Sequence, residues 1–224
     1  MNRYYAQRLS AQRLRRVYEL APPRVRQYLA AEIDFVRRHL PATGRVLDLG
    51  CGYGRVMGSL LRPGIEVVGV DNALESLLEG CRELAGLSAW HLALMDAGRL
   101  ALADGAFDRV LCIQNGLSAF KVDPVILIRE AMRVTRPGGL IMFSTYAERF
   151  WDHRLHWFQL QAHHGLLGEI DHQRTGNGKI ICRDGFEATT HTPEDFKSLM
   201  DRVGRPCSIE EVDGSSLFCL VPID

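Results

Sequence analysis

Residues 46–55 read Val46-Leu47-Asp48-Leu49-Gly50-Cys51-Gly52-Tyr53-Gly54-Arg55, an apolar strand running straight into three alternate glycines and then the start of a helix. Glycine at such a bend lets the backbone adopt angles other residues avoid and pass close to a ligand, and the helix that follows presents unpaired amide donors. The stretch therefore predicts a turn built to receive an adenosine-bearing ligand. A nicotinamide-type fingerprint needs a small residue three positions past Gly52, where this chain has Arg55, and the dinucleotide reading loses most of its weight.

Downstream of this turn, short apolar runs alternate with helical stretches: VVGVD ending at Asp71, a helix from about Leu74, WHLALMD, DRVLCIQ after an Asp104-Gly105 turn, another helix, and LIMFSTY. Such alternation means parallel strands joined by crossover helices, with the sheet buried on both faces. Asp123-Pro124 starts a helix with Leu127, Ala131 and Val134 inward, and Arg136-Pro137-Gly138-Gly139 stops it before the sheet resumes at Leu140. Upstream, residues 3–18 and 22–40 read as helices, the second opening on Pro22 and Pro23 with a stripe of Val25, Leu29, Ile33, Val36 and Leu40. Residues 147–192 break the alternation with a helix presenting Trp151, Leu155, Phe158 and Ala162 on one face, followed by a hairpin in GKIICRDGFEATT. Thr192-Pro193-Glu194-Asp195 then opens a capped helix, and two strands flank Asp213-Gly214. The expectation is one α/β domain over residues 1–224: a helical cap (1–43), a ligand-binding core (44–146), a lid insertion (147–192) and a C-terminal helix with a strand pair (193–224).

Composition narrows the classes of function. Hydrophobic residues make up 46% and charged residues 24% of 224, and the formal net charge is zero. These values fit a globular domain and exclude a largely disordered chain. A neutral protein is poorly suited to gripping a nucleic-acid backbone, although residues 1–40 hold nine arginines against Glu19, Glu32 and Asp34. No apolar run is long enough for a membrane span or a secretory signal, so a cytoplasmic protein is expected. The six cysteines never form C-x-x-C and read as reduced, mostly buried thiols, with neither metal nor disulfide implied.

The run D-L-G-C-G-Y-G resembles the first motif of the class I S-adenosylmethionine-dependent methyltransferases, and three further stretches agree with that family in order and spacing. Asp71 in VVGVDNA is similar to the acidic residue that hydrogen-bonds the ribose hydroxyls. Asp96-Ala97 in LMDAGRL resembles the segment whose aspartate receives the adenine amino group. FDRVLCIQN is similar to the fourth strand, whose end borders the transferable methyl group, and VTRPGGLIMF to the lead into the fifth. The resemblance covers residues 44 to about 146. It implies a Rossmann-like, mostly parallel seven-stranded sheet, S-adenosylmethionine as cofactor with S-adenosylhomocysteine as product, and cofactor contacts from Asp48, Gly50, Cys51, Gly52, Asp71, Asn72, Asp96, Ala97 and Gln114.

The chemistry implied is direct in-line displacement of an activated methyl group, which depends on alignment and exclusion of water and does not demand an acid–base dyad. If a base assists, Tyr146, His153 and His156 are the candidates. Family members resembling this chain build the acceptor pocket from N-terminal helices and insertions after the fifth strand, which makes Tyr4, Tyr5, Asn115 and Trp151 the candidate substrate contacts. Histidines of the lid are expected to be solvated rather than metal ligands. A small-molecule acceptor is the leading expectation for a monomer or homodimer, with no nucleic-acid or membrane partner; RNA or protein methylation through the N-terminal arginines, and a non-catalytic cofactor-binding partner, are the alternatives.

Overall fold

A computed structural model of the chain describes Tyr4 and residues 8–224. Helices α1 (Ala11–Glu19) and α2 (Pro23–His39) precede β1 (Gly44–Leu49), α3 (Arg55–Leu60), β2 (Ile65–Asp71), α4 (Leu74–Glu83), β3 (Trp90–Leu94) and β4 (Phe107–Cys112). The chain continues through α5 (Gly116–Ala119), α6 (Pro124–Val134), β5 (Thr135–Tyr146), α7 (Trp151–His163), the short strands β6 (Lys179–Ile181) and β7 (Glu187–Thr189), α8 (Pro193–Val203), β8 (Ser208–Val212) and β9 (Ser216–Pro222). Seven strands form one sheet in the order β3-β2-β1-β4-β5-β9-β8, parallel from β3 to β5 and antiparallel at β9 and β8. The expected Rossmann-like sheet is thus present, and the strand order reverses between β1 and β4, where open sheets of this kind form their ligand crevice.

Burial follows from this layering. Leu47, Val110 and Ile141 are fully buried under α6 and α8 on one face, and Val46, Val67, Leu111 and Met142 under α2 and α3 on the other. A third apolar cluster lies away from the sheet and joins α1 and α2 to α7 and the β6–β7 hairpin through Val17, Tyr28, Trp157, Phe158 and Phe186. This cluster roofs the carboxyl ends of the strands.

The capping signals act as read. Asp123 accepts a hydrogen bond from the Val125 amide, and Thr192 and Asp195 form a reciprocal capping box. Three readings are corrected. The helix expected over 3–18 is interrupted at Ser10, whose backbone is extended, and the Ala11 amide donates to Ser76 Oγ (3.0 Å) instead of to a preceding turn. Strand β5 begins directly at Thr135, absorbing Arg136-Pro137-Gly138-Gly139 as an irregularity in its register with β4. The buried faces of α2 and α7 are rotated slightly from the apolar stripes: Glu32 rather than Ile33 is fully buried on α2, and Arg154, Trp157, Phe158 and Gln161 are buried on α7 while Trp151 is only half-buried. Both helices turn polar side chains inward because they cover a cavity and a hairpin rather than a uniformly apolar sheet.

Candidate active site

The turn after β1 is the floor of the site. Gly50 (φ +75°), Gly52 (φ +55°) and Gly54 (φ +79°) all occupy the left-handed region. A Cβ at Gly50 would stand 3.0 Å from Phe120 Cζ, and one at Gly52 2.9 Å from Leu14 Cδ2. Phe120 and Leu14 both line the adjoining cleft, so side chains at these glycines would crowd it. Within the turn the amides are engaged: the Gly50 and Cys51 amides donate to Val70 O (2.8 and 3.1 Å), Gly54 to Cys51 O (2.9 Å), and Gly52 to Asp71 Oδ2 (2.9 Å). The end of β2 takes three of these donors, so what the turn itself contributes to binding is close approach.

Asp71 ends β2 and lines the cleft beside Asn72, its second oxygen accepting from the Ala73 amide at 2.8 Å. Burial pushes its carboxyl pKa up, while the Ala73, Gly52 and Asn72 amides pull it back. A carboxylate offers about four acceptor positions, so both oxygens can still receive a hydroxyl.

Behind the turn lies a polar recess bounded by Asp48, Arg55, Tyr18 and Gln114. Among the described residues, Asp48 Oδ2, Arg55 Nη2 and Gln114 Nε2 are buried without hydrogen-bond partners. Burial raises Asp48 to about 7, with Arg55 pulling it down and Asp71 pushing it up. The Arg55 guanidinium stacks 4.5 Å from the centroid of the Tyr18 ring, and the Tyr18 hydroxyl donates to Gln114 Oε1 at 2.9 Å. Gln114 and Asn115 hold positive φ angles of 56° and 63° at the end of β4. They are pinned there by the end of β5: the Gln114 amide donates to Ser144 Oγ (2.8 Å), the Asn115 amide to Ser144 O (3.0 Å), and Thr145 Oγ1 to Asn115 Oδ1 (2.8 Å). Ser144 Oγ in turn donates to Glu32 Oε1 at 2.6 Å, and burial raises fully enclosed Glu32 to about 7. Cys51 sits inside the motif, but burial and the Asp48 and Asp71 charges drive its thiol well above the ordinary range, so it packs rather than reacts.

Above the floor the cleft holds about 1160 Å³ of empty space out to its mouth. Its roof comes from Val17 and Tyr18 of α1 and from Trp157, Phe158 and Gln161 of α7, with Leu29, Tyr146 and Phe186 completing the walls. The Trp157 indole donates to Val17 O at 3.1 Å and ties the two roof helices together.

The structure gathers Gly50, Gly52, Asp71, Asn72, Gln114 and Tyr146 around this space, with Asp48 and Cys51 at the recess. Others fall elsewhere. Asp96 accepts from the Gly98 amide at 2.9 Å, and neither it nor Ala97 lines the cleft. Asn115 is buried, its side-chain oxygen occupied by Thr145, and it does not reach the cavity wall. His153 and His156 are exposed on the outer side of α7, removed from the wall by the rotation of that helix. Trp151 packs near Arg154 outside the lining, and Tyr4 donates to Asp184 Oδ2 at 2.5 Å beside Phe186. Tyr5 lies outside the described residues. Tyr18, Glu32, Arg55, Ser144, Gln161 and Phe186 were not singled out from sequence. For Glu32 and Gln161 a signal existed: each is a polar residue three or four positions from buried apolar ones on its helix.

Comparison with known proteins agrees with this geometry. Residues 46–139 match the family described as Methyltransferase domain. The chain is 33% identical over 121 residues to the ubiquinone biosynthesis O-methyltransferase of Chromobacterium violaceum, covering 50% of this chain and 49% of that protein. It is 37% identical over 121 residues to the demethylmenaquinone methyltransferase of Beutenbergia cavernae, covering 53% and 48%. The chain therefore spans about half the length of the curated relatives it matches. Among solved structures, a Methanosarcina mazei SAM-dependent methyltransferase superposes with a TM-score of 0.63 at 18% identity, covering 85% of this chain and 98% of that one. A Burkholderia thailandensis 1,6-didemethyltoxoflavin-N1-methyltransferase, with 1,6-didemethyltoxoflavin and S-adenosylhomocysteine bound, superposes with a TM-score of 0.62 at 15% identity, covering 86% and 76%. The match over residues 46–139 makes that segment similar to a methyltransferase domain, and the sheet order and glycine turn give the chain the Rossmann-like fold of these solved neighbours. The residues fit S-adenosylmethionine as a ligand: a close-approach turn, a strand-end carboxylate, and a recess in which Asp48 Oδ2, Arg55 Nη2 and Gln114 Nε2, each without a hydrogen-bond partner among the described residues, suit a charged amino-acid moiety.

Proposed function

We propose that the chain transfers the methyl group of S-adenosylmethionine to a small-molecule acceptor enclosed beneath α1 and α7. The observation that carries this reading is the continuity of one cleft from the glycine turn to an aromatic roof. Four of the N-terminal arginines, which kept a polymer substrate in view, are engaged within the protein: Arg15 pairs with Glu79 and Glu83, Arg24 with Asp213, Arg13 binds the Gly165 and Leu166 carbonyls, and Arg26 binds the Ala21 carbonyl. Such side chains are not poised to neutralise a row of phosphates. The names of the matched relatives, which concern quinone biosynthesis, support a small acceptor as well.

When bound, the cofactor supplies a methyl group activated by its positive sulfonium. The protein's part is alignment and exclusion of water. In this reading Asp71 takes the ribose with Asn72 beside it, Asp48, Arg55 and Gln114 take the amino-acid end, and Asp96 with Ala97 borders the purine from the rim. Of the three candidate bases only Tyr146 lines the cleft, so the role of proton acceptor, where the acceptor needs one, falls to it or to water. A cytoplasmic setting suits the free thiols, and no described helix is long and apolar enough to cross a membrane.

The decisive experiment is calorimetric binding of S-adenosylmethionine and S-adenosylhomocysteine, followed by detection of labelled methyl transfer to an extract of small metabolites. Absence of binding refutes the cofactor site, and binding without any methylated product favours a non-catalytic role. RNA is expected to pass the immobilised protein at physiological ionic strength; retention there supports the polymer alternative. Donor binding is also expected to move a proton. Burial holds the Asp48 carboxyl at about 7, and a cation placed beside it favours the ionised form. At pH 7 binding should therefore release about half a proton. The measurement is the dependence of binding enthalpy on the ionisation heat of the buffer, and Asp48→Asn should remove it.

A further inference from the structure

Resting on the methyltransferase reading, we propose that the acceptor is an uncharged, flat ring compound carrying a carbonyl oxygen, and that the side-chain amide of Gln161 donates the hydrogen bond that orients it. Two independent features of the roofed half of the cleft lead there. Its walls are rings and aliphatic side chains, chiefly Tyr18, Leu29, Tyr146, Trp157, Phe158 and Phe186. Among the described residues lining the cleft, Asp71 alone carries a full charge, and it stands at the turn where the donor binds. A charged acceptor would be stripped of water with nothing of opposite sign to meet it, whereas a planar neutral ring buries its faces against the aromatic walls.

The second feature is Gln161 itself. It is 2% exposed, lines the cleft from α7, and its Nε2 has no hydrogen-bond partner among the described residues. Leucine or methionine would fill the same position next to Trp157 and Phe158 without leaving a buried donor unmet, so the amide is costly unless a ligand completes it. Gln114 Nε2 is likewise unpartnered, but it shares the recess with Asp48 and Arg55 at the donor end. An unpartnered buried donor on a mainly aromatic and aliphatic wall selects an acceptor atom on the ligand and fixes the ring's rotation in its plane. That is the arrangement alignment-controlled methyl transfer needs.

The test uses the full chain saturated with S-adenosylhomocysteine and three bicyclic probes: chromone, which is neutral with a ring carbonyl; naphthalene, its hydrocarbon counterpart; and 2-naphthoate, which is anionic. Binding is followed by quenching of tryptophan fluorescence and by calorimetry. Chromone is expected to bind about tenfold more tightly than naphthalene, and 2-naphthoate not to saturate. Gln161→Leu should bring the chromone-to-naphthalene ratio close to one by weakening chromone while leaving naphthalene unchanged or tighter. Gln161→Met serves as a second variant, and the thermal melt of each establishes that it folds. An unaltered ratio in the folded variants, naphthoate binding as tightly as chromone, or no binding of any probe to the wild type overturns the proposal. Repeating the titrations without S-adenosylhomocysteine keeps the probe ratios readable, so failure of donor binding alone sinks the methyltransferase reading separately.

Discussion

Between pH 5 and pH 8 the ligand-free protein is expected to lose stability, and Glu32→Gln is expected to flatten much of that loss. Burial raises the folded-state pKa of Glu32 and of Asp48 to about 7, above the ordinary carboxylate range that the unfolded chain adopts. Across the interval between those values the folded protein holds protons that the unfolded chain has released, so stability falls as pH rises through it and levels off above about 7. Each carboxylate contributes on the order of 3 kcal/mol to the fall. His191, buried and shifted downward, acts in the opposite direction, which is why the difference between wild type and variant is the informative quantity. Chemical denaturation at a series of pH values measures it. Glutamine keeps an oxygen for the 2.6 Å bond from Ser144 and removes the charge, so the variant should be the more stable protein at pH 8. A pH profile unchanged by the substitution would show that water or an unassigned cation already compensates Glu32.

Replacing Asp71 by alanine is expected to weaken binding of S-adenosylmethionine by about 10- to 100-fold, the range of about 1.5–3 kcal/mol for losing charge-assisted hydrogen bonds. The effect has two sources. The carboxylate faces the cleft, and its Oδ2 also accepts from the Gly52 amide at 2.9 Å while Oδ1 accepts from the Ala73 amide at 2.8 Å. Loss of these two internal hydrogen bonds alone should cost the unliganded protein about 1–3 kcal/mol. A donor affinity that drops no further than this local loosening explains would reduce Asp71 to a residue that only holds the loop. Asp71→Asn, which retains an acceptor oxygen but no charge, should lie between. Calorimetry for affinity and denaturation for stability separate the contributions, and because the Asp71 charge helps keep Asp48 protonated, both variants should also let Asp48 ionise at lower pH.

Much of the donor end was legible in the chain because short-range rules govern it. A βα turn that brings its backbone against a ligand needs glycine where φ is positive, and Gly50, Gly52 and Gly54 meet that demand. Asp71 was legible because a strand of known length has a known end. Asp96 was read through the family resemblance, and it is not among the residues that line the cleft. The amides of Gly50, Cys51 and Gly52 are engaged by a partner no local rule describes, the end of β2.

The acceptor end was poorly legible for a different reason. His153 and His156 were candidates by residue type, but a small rotation of α7 about its axis exchanges which residues face inward, and in that orientation Trp157 bonds to Val17 about 140 positions away. The same rotation turns Gln161 into the cleft, and the corresponding shift on α2 buries Glu32 against Ser144. Hydrophobic periodicity locates a helix and its approximate inner face; it does not resolve one residue step when an aromatic cavity, rather than a sheet, is what the helix covers. The order of elements, the glycine turn and the strand-end carboxylates were determined by sequence alone, since each depends on backbone geometry within a few residues. Which polar groups share the roofed cleft was decided only by tertiary packing, because it depends on how distant helices seat against one another over the ends of the strands.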